Sequence, residues 1–220
     1  MMIKACMFDL DGTILYTLES ITKAGNRMLR ELGFEEQPKE DFRSYCGDGA
    51  DTLVSKALMR AGGYNRENFD AAIILYRKFL AEDPLYRTVP YEGMPEVLKS
   101  LKDAGYFLAV NSNKPDDSTV KAVAGGYPEG TFDAVHGQRK GVPVKPDPTG
   151  AVMTAKELGV LPEECCYIGD MTIDIRTGKS AGMKTIAVTW GYQDEEDLIA
   201  CGADHIVRSP EEISELLKKI

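Results

Sequence analysis

Six short strand-like runs, each followed by polar residues and then by a stretch of helical period, constrain this chain more than any other feature. They lie at residues 5–8, 107–110, 132–135, 165–168, 185–188 and 205–207. Runs this short match strands covered on both faces better than helices with one buried face. The intervening segments 95–104, 116–124, 149–158, 173–181, 195–201 and 211–219 repeat apolar residues at helical spacing. Strand alternating with helix implies a parallel sheet with helices on both faces. The expected fold class is therefore α/β, a three-layer α/β/α sandwich.

The alternation is broken once. Between residues 15 and 87 every periodic stretch is helical, at 15–32, 39–45, 51–61 and 66–81, and no strand is expected there. This block reads as an insertion: an all-helical cap over residues 16–87, set on a core made of 1–15 and 88–220. It holds 11 basic and 12 acidic side chains, so nearly all of the net charge of −9 falls on the core. A cap less acidic than its core suits contact with an anion.

The acidic balance argues against nucleic acid as a partner. No apolar run approaches the roughly 20 residues of a membrane span. Asp9 and Asp11 interrupt the only apolar stretch near the start, where a signal peptide would need continuity. The five cysteines include no Cys-x-x-Cys pair and there are only two histidines, which disfavours a disulfide framework or a zinc site. Cys6, Cys165 and Cys166 lie in strand runs and read as core thiols. The expectation is a cytoplasmic protein, monomer or homodimer, whose partner is a small molecule.

The reactive residues fall after strands. The first run ends in Asp9 and Asp11, two residues apart, then Gly12. Open α/β sheets bind ligands beyond the carboxyl ends of their strands, and two acids there need a cation or a shared proton. Such a pair offers a metal site, or a nucleophile beside an acid/base. After the second run come Asn111, Ser112, Asn113 and Lys114, a hydroxyl and amides at an expected helix start, where anions bind. Lys145 sits in Val144-Lys145-Pro146-Asp147-Pro148, whose prolines are expected to hold it extended and stiff. Asp170 ends the fourth run, and Asp174 follows one helical turn later. Each alone also reads as a cap or loop residue. Together they belong to one sheet edge, where strand ends converge.

These stretches, Asp9-Leu10-Asp11-Gly12-Thr13, Ser112-Asn113-Lys114, Lys145-Pro146 and Gly169-Asp170 with Asp174, resemble in order the four motifs of the haloacid dehalogenase superfamily. The match is to its capped phosphatase branch, and Tyr91-Glu92-Gly93-Met94 and Thr189-Trp190-Gly191-Tyr192 are also similar to family segments. The stretch from Tyr45 to Val54, with Gly47 and Gly49, resembles the substrate-specificity loop of phosphoglycolate phosphatases. One departure is Tyr16-Thr17, where the family usually has Asp-Ser. The resemblance implies a Mg²⁺-dependent phosphomonoester hydrolase of a Rossmannoid fold, acting on a small phosphorylated metabolite, phosphoglycolate-like. It implies Asp9 as nucleophile, Asp11 as acid/base held protonated by its neighbours, and Ser112 and Lys145 on the phosphoryl oxygens, with Lys114 second in line for the cationic role. It implies Asp9, the Asp11 carbonyl and Asp170 as metal ligands with Asp174 behind them, and Asn113, Gly47 and Gly49 against substrate. Arg43, beside the loop, is a candidate partner for a substrate carboxylate. The alternatives are a phosphosugar mutase similar to β-phosphoglucomutase and a catalytically idle interaction protein on the same fold.

Overall fold

The computed structural model describes residues 2–220. Its main sheet has six parallel strands: β1 (Ala5–Phe8), β4 (Phe107–Pro115), β5 (Ala134–Gln138), β6 (Cys165–Gly169), β7 (Lys184–Val188) and β8 (His205–Val207), in the order β5-β4-β1-β6-β7-β8. β1 lies centrally because all four of its side chains are fully buried. Successive residues of a strand face opposite ways. Cys6 and Phe8 accordingly join Leu108, Val110, Cys166 and Ile168 under α5 (Met94–Asp103) and α10 (Pro210–Leu217). Ala5 and Met7 join Ala109, Cys165 and Tyr167 under α7 (Thr149–Glu157). The three layers expected from the alternation are present. Removing a ring such as that of Phe8 from this core costs about 3–5 kcal/mol.

The helical block comprises α1 (Leu18–Glu31), α2 (Lys39–Tyr45), α3 (Ala50–Arg60) and α4 (Arg66–Glu82). It has an apolar centre of its own, built on Ile21, Met28, Phe42, Leu53, Leu58 and Leu80. Two short strands absent from the sequence reading join it to the sheet. β2 (Leu15–Tyr16) pairs antiparallel with β3 (Val89–Pro90), so both crossings between block and sheet run side by side. The helix expected from residue 15 therefore begins at Leu18.

Three other local expectations shift. The strand expected at 132–135 forms at Ala134–Gln138, because Phe132 packs against Phe8 and Tyr127 while Asp133 accepts a hydrogen bond from the Leu108 amide (2.8 Å). The apolar signal there reported a packed ring, not a ladder. β4 runs on through Asn111–Lys114, and α6 (Asp116–Gly126) starts beyond them, so Ser112 is not at a helix N-terminus. Lys145–Pro146 lies in a turn rather than an extended segment, held by Asn113: the Lys145 amide donates to Asn113 Oδ1 (2.8 Å) and its carbonyl accepts from Nδ2 (3.2 Å). The remaining helices are α8 (Thr172–Ser180) and α9 (Glu195–Ala200).

Candidate active site

The end of β1 delivers Asp9 and Asp11 to the sheet edge under the cap. The Asp9 amide still pairs with the Ile168 carbonyl (2.9 Å), which fixes its side chain next to the end of β6. Lys145 reaches it across the sheet: Nζ donates to Asp9 Oδ1 at 2.8 Å and to Asp174 Oδ1 at 2.6 Å. All three side chains are at least nine-tenths buried. Burial works against the Lys145 charge, but Asp174 and Asp9 outweigh it and hold the ammonium well above its ordinary range.

Asp170 is fully buried at the end of β6. Its oxygens accept from Thr13 Oγ1 (2.9 Å) and the Tyr192 amide (2.7 Å). The backbone closes on it from two sides, since a Cβ on Gly12 or Gly191 would stand 2.3 or 2.2 Å from Asp170 atoms. Asp174, in the first turn of α8, takes the Met171 amide on its other oxygen (3.0 Å).

Asp9, Asp170 and Asp174 each offer an oxygen within 4.8 Å of the others. Burial pushes the Asp9 carboxyl up to about 7, against the pull of Lys145 and with the charge of Asp174 adding to the rise. Burial, then Asp9 and Asp174, also hold Asp170 well above the usual carboxyl range. One ammonium is too little charge for three buried acids. The donor set, hard oxygens only, fits a divalent cation such as Mg²⁺.

Asp11 is not part of that triad. Its carboxylate turns to Lys114, whose Nζ donates to both oxygens (2.9 and 3.2 Å), and to Thr17 Oγ1 (2.5 Å). The metal contact expected of Asp11 is through its backbone carbonyl, which this side-chain pairing leaves open. The two lysines divide the work, Lys145 on Asp9 and Lys114 on Asp11.

Behind Asp11 runs a chain of hydroxyls that sequence reasoning missed. The Thr17 amide donates to Tyr192 Oη (3.1 Å), and Thr17 Oγ1 lies 3.1 Å from the same oxygen. Because Thr17 Oγ1 spends its proton on Asp11, the Tyr192 hydroxyl must donate to Thr17. Tyr192 thereby ties the cap entrance to Asp170, which its own amide meets. The Tyr16-Thr17 departure and the Thr189–Tyr192 segment both drew notice in sequence, but nothing there joined them.

The cap loop lies on the core. Gly47 and Gly49 have φ of 103° and 86°, which favours glycine, and a Cβ on Gly47 would stand 2.6 Å from Met171 Sδ. The Gly47 carbonyl accepts from Asn113 Nδ2 (3.0 Å). Asn113, expected against substrate, thus clamps both Lys145 and the loop. Arg43, the other cap expectation, turns away: Nε donates to the Tyr192 carbonyl (2.8 Å), and Arg43 does not line the cavity. Its guanidinium also donates to the Gly191 carbonyl (3.5 Å) and lies 3.6 Å from an Asp194 oxygen. A cavity of about 40 Å³ remains, lined from the core by Asp9, Asp11, Ser112, Lys114 and Lys145 and from the cap by Gly47, Gly49 and Tyr76.

Comparison with known proteins places this geometry. Residues 6–188 match the sequence model of the family described as haloacid dehalogenase-like hydrolase. A phosphoglycolate phosphatase from Aquifex aeolicus is 35% identical over 190 residues, 86% of each chain. An N-acetylmuramic acid 6-phosphate phosphatase from Pseudomonas aeruginosa is 32% identical over all of this chain and 96% of its own. A solved structure from Lactobacillus delbrueckii subsp. bulgaricus superposes with a TM-score of 0.91 at 32% identity, over 99% of both chains. With its sheet order, its inserted helices and its acidic triad, the chain belongs to the haloacid dehalogenase-like hydrolase family.

Proposed function

We propose that this enzyme hydrolyses a small phosphomonoester, with phosphoglycolate-like compounds as its substrate class, through transient phosphorylation of Asp9. The observation that carries the reading is the meeting of Asp9, Asp11, Ser112, Lys114 and Lys145 around one small cavity under the cap. Asp9, Asp170 and Asp174 would hold Mg²⁺, which supplies charge to offset the repulsion between the Asp9 carboxylate and a phosphate dianion. Asp9 Oδ attacks phosphorus, and its P–O bond forms as the ester oxygen leaves. Asp11 donates a proton to that oxygen as it leaves, and then takes one back from the water that splits the acyl phosphate. Lys114 sets the position of Asp11 and balances its charge. Lys145, fixed by Asn113, presents its ammonium to the transferring oxygens, and Ser112 adds a hydroxyl.

The helices of 16–87 act as the cap, closing on the loop at Gly47 and Gly49 to exclude water. A cavity of about 40 Å³ suits a small leaving group better than a sugar ring. No helix among the described residues is long and apolar enough to cross a membrane. The five free cysteines support a cytoplasmic setting and the chain is read as monomer or homodimer. A phosphate-release screen over small phosphate esters with Mg²⁺, and without any bisphosphate activator, tests the reading. Release from short-chain esters is expected, and no release from any ester would overturn it.

A further inference from the structure

One segment of the sheet domain meets the acidic triad and the cap at once. It runs from Trp190 to Gln193, just after β7. On its inner side it braces the triad. The Trp190 indole donates to the Thr13 carbonyl (3.0 Å), and the Thr13 hydroxyl donates to Asp170 Oδ1 (2.9 Å). The Tyr192 amide donates to the other oxygen of Asp170 (2.7 Å). The Gln193 side chain accepts from the amide of Thr172 (2.7 Å), the first residue of α8, which carries Asp174. A donor on each oxygen fixes the plane of the Asp170 carboxylate. Groups that orient a metal ligand in this way commonly change metal affinity by roughly ten- to a hundredfold when removed.

On its outer side the cap grips the same segment. The Tyr192 ring, 7% exposed, packs in the apolar centre of the helical block and not in that of the sheet. The Tyr192 carbonyl accepts from Nε of Arg43, in the last turn of α2 (2.8 Å), and the guanidinium also reaches the Gly191 carbonyl. Among the described residues Arg43 is the only lysine or arginine bonded to residues 190–194. The backbone of Tyr192 is therefore held at both ends, its amide by a triad acid and its carbonyl by the cap. Any displacement of α2 carries Arg43 with it and slackens that hold.

We infer, resting on the Mg²⁺ site of the hydrolase reading, that Arg43 is a positioning residue that couples the cap to the metal. By holding the Tyr192 carbonyl it keeps the Tyr192 amide on Asp170, so the triad binds its cation more tightly when the cap is seated. This differs from the contact with a substrate carboxylate expected of Arg43 from sequence. Simple electrostatics pushes the other way. A guanidinium repels a cation, so its removal would by itself tighten Mg²⁺ binding. The opposite sign of the two effects makes the coupling separable. Coupling between two sites is reciprocal, so bound Mg²⁺ must in turn steady the cap.

The test measures Mg²⁺ binding by calorimetry, without substrate, in the native chain and in Arg43→Met, Arg43→Lys and Asp194→Asn. Methionine keeps a long, helix-favouring side chain but donates nothing. Lysine keeps the charge but lacks the planar fork that reaches two carbonyls. Asp194 is largely exposed, and such a pairing contributes little. Arg43→Met is expected to raise the Mg²⁺ Kd by about fivefold or more, and Arg43→Lys by a smaller factor. Asp194→Asn should stay within about twofold. At saturating Mg²⁺ the kcat of Arg43→Met should return to near native, because Arg43 touches no reacting group. Amide exchange in α2 should slow on adding Mg²⁺ to the native chain and not to Arg43→Met. An unchanged or tighter Kd in Arg43→Met, or an equal loss in Asp194→Asn, overturns the coupling and leaves the hydrolase reading intact. A native chain that binds no Mg²⁺ overturns both. If Mg²⁺ binding depends on Arg43 while no ester releases phosphate, the hydrolase reading falls and the coupling stands.

Discussion

Replacing Lys145 by methionine should destabilise the cation-free chain steeply with rising pH. Among the described residues its ammonium is the only side-chain donor on Asp9 and the only cation bonded to Asp174, at 2.8 and 2.6 Å, with its side chain 4% exposed. Without it, three carboxylates share one buried space. Removing one partner of a buried pair costs about 3–5 kcal/mol. The pH dependence follows from Asp9, whose folded value of about 7 already lies above the ordinary 3.8. An acid with a raised folded value binds its proton more tightly when folded. It therefore leaves stability intact below about pH 4 and erodes it as pH rises towards 7, by roughly 4 kcal/mol for that gap. Lys145→Met raises the folded value further, so its penalty should be small at pH 4.5 and full at pH 8. Urea unfolding in EDTA at the two pH values, with both chains side by side, measures this. Adding Mg²⁺ at pH 8 should recover part of the loss. A penalty below 1 kcal/mol at pH 8, or one equal at both pH values, would refute the idea that Lys145 balances the triad.

Asp9→Asn should abolish phosphate release while leaving the unfolding midpoint near native, because an amide cannot form the acyl phosphate; turnover in the folded variant would remove Asp9 as nucleophile. Asp170→Ala should raise the Mg²⁺ concentration for half-maximal activity by tenfold or more, and calcium should inhibit the native chain, since it tolerates looser geometry. Equal rates in EDTA and in Mg²⁺ would exclude that role. Gly47→Val should lower kcat/KM for 2-phosphoglycolate by at least tenfold more than for acetyl phosphate, because its Cβ meets Met171 and lifts the loop from the core; equal losses would show that the loop does not read the leaving group. Tyr192→Phe should lower kcat about tenfold with KM little changed, by releasing Thr17 from the orientation in which it donates to Asp11; an unchanged kcat would mean that Asp11 is positioned by Lys114 alone.

The alternation of apolar runs with helical periods determined the parallel sheet and its two covered faces, because each strand and helix signals its own period through residues adjacent in sequence. It also determined the edge at which Asp9, Ser112, Lys145 and Asp170 meet, since strand ends of a parallel sheet point one way. Only the tertiary structure decided their partners. Asp11 pairs with Lys114 across 103 residues, Asp9 with Lys145 across 136, and Thr17 with Tyr192 across 175. No periodicity encodes such pairings, because they depend on where separate elements come to rest. For the same reason Arg43 turned to a backbone carbonyl, and β2 and β3, two residues each, left no pattern to read. Tyr76 is the clearest case. On its own helix it reads as one more apolar-face residue, and only the packing of α4 over the sheet edge brings it to the cavity wall.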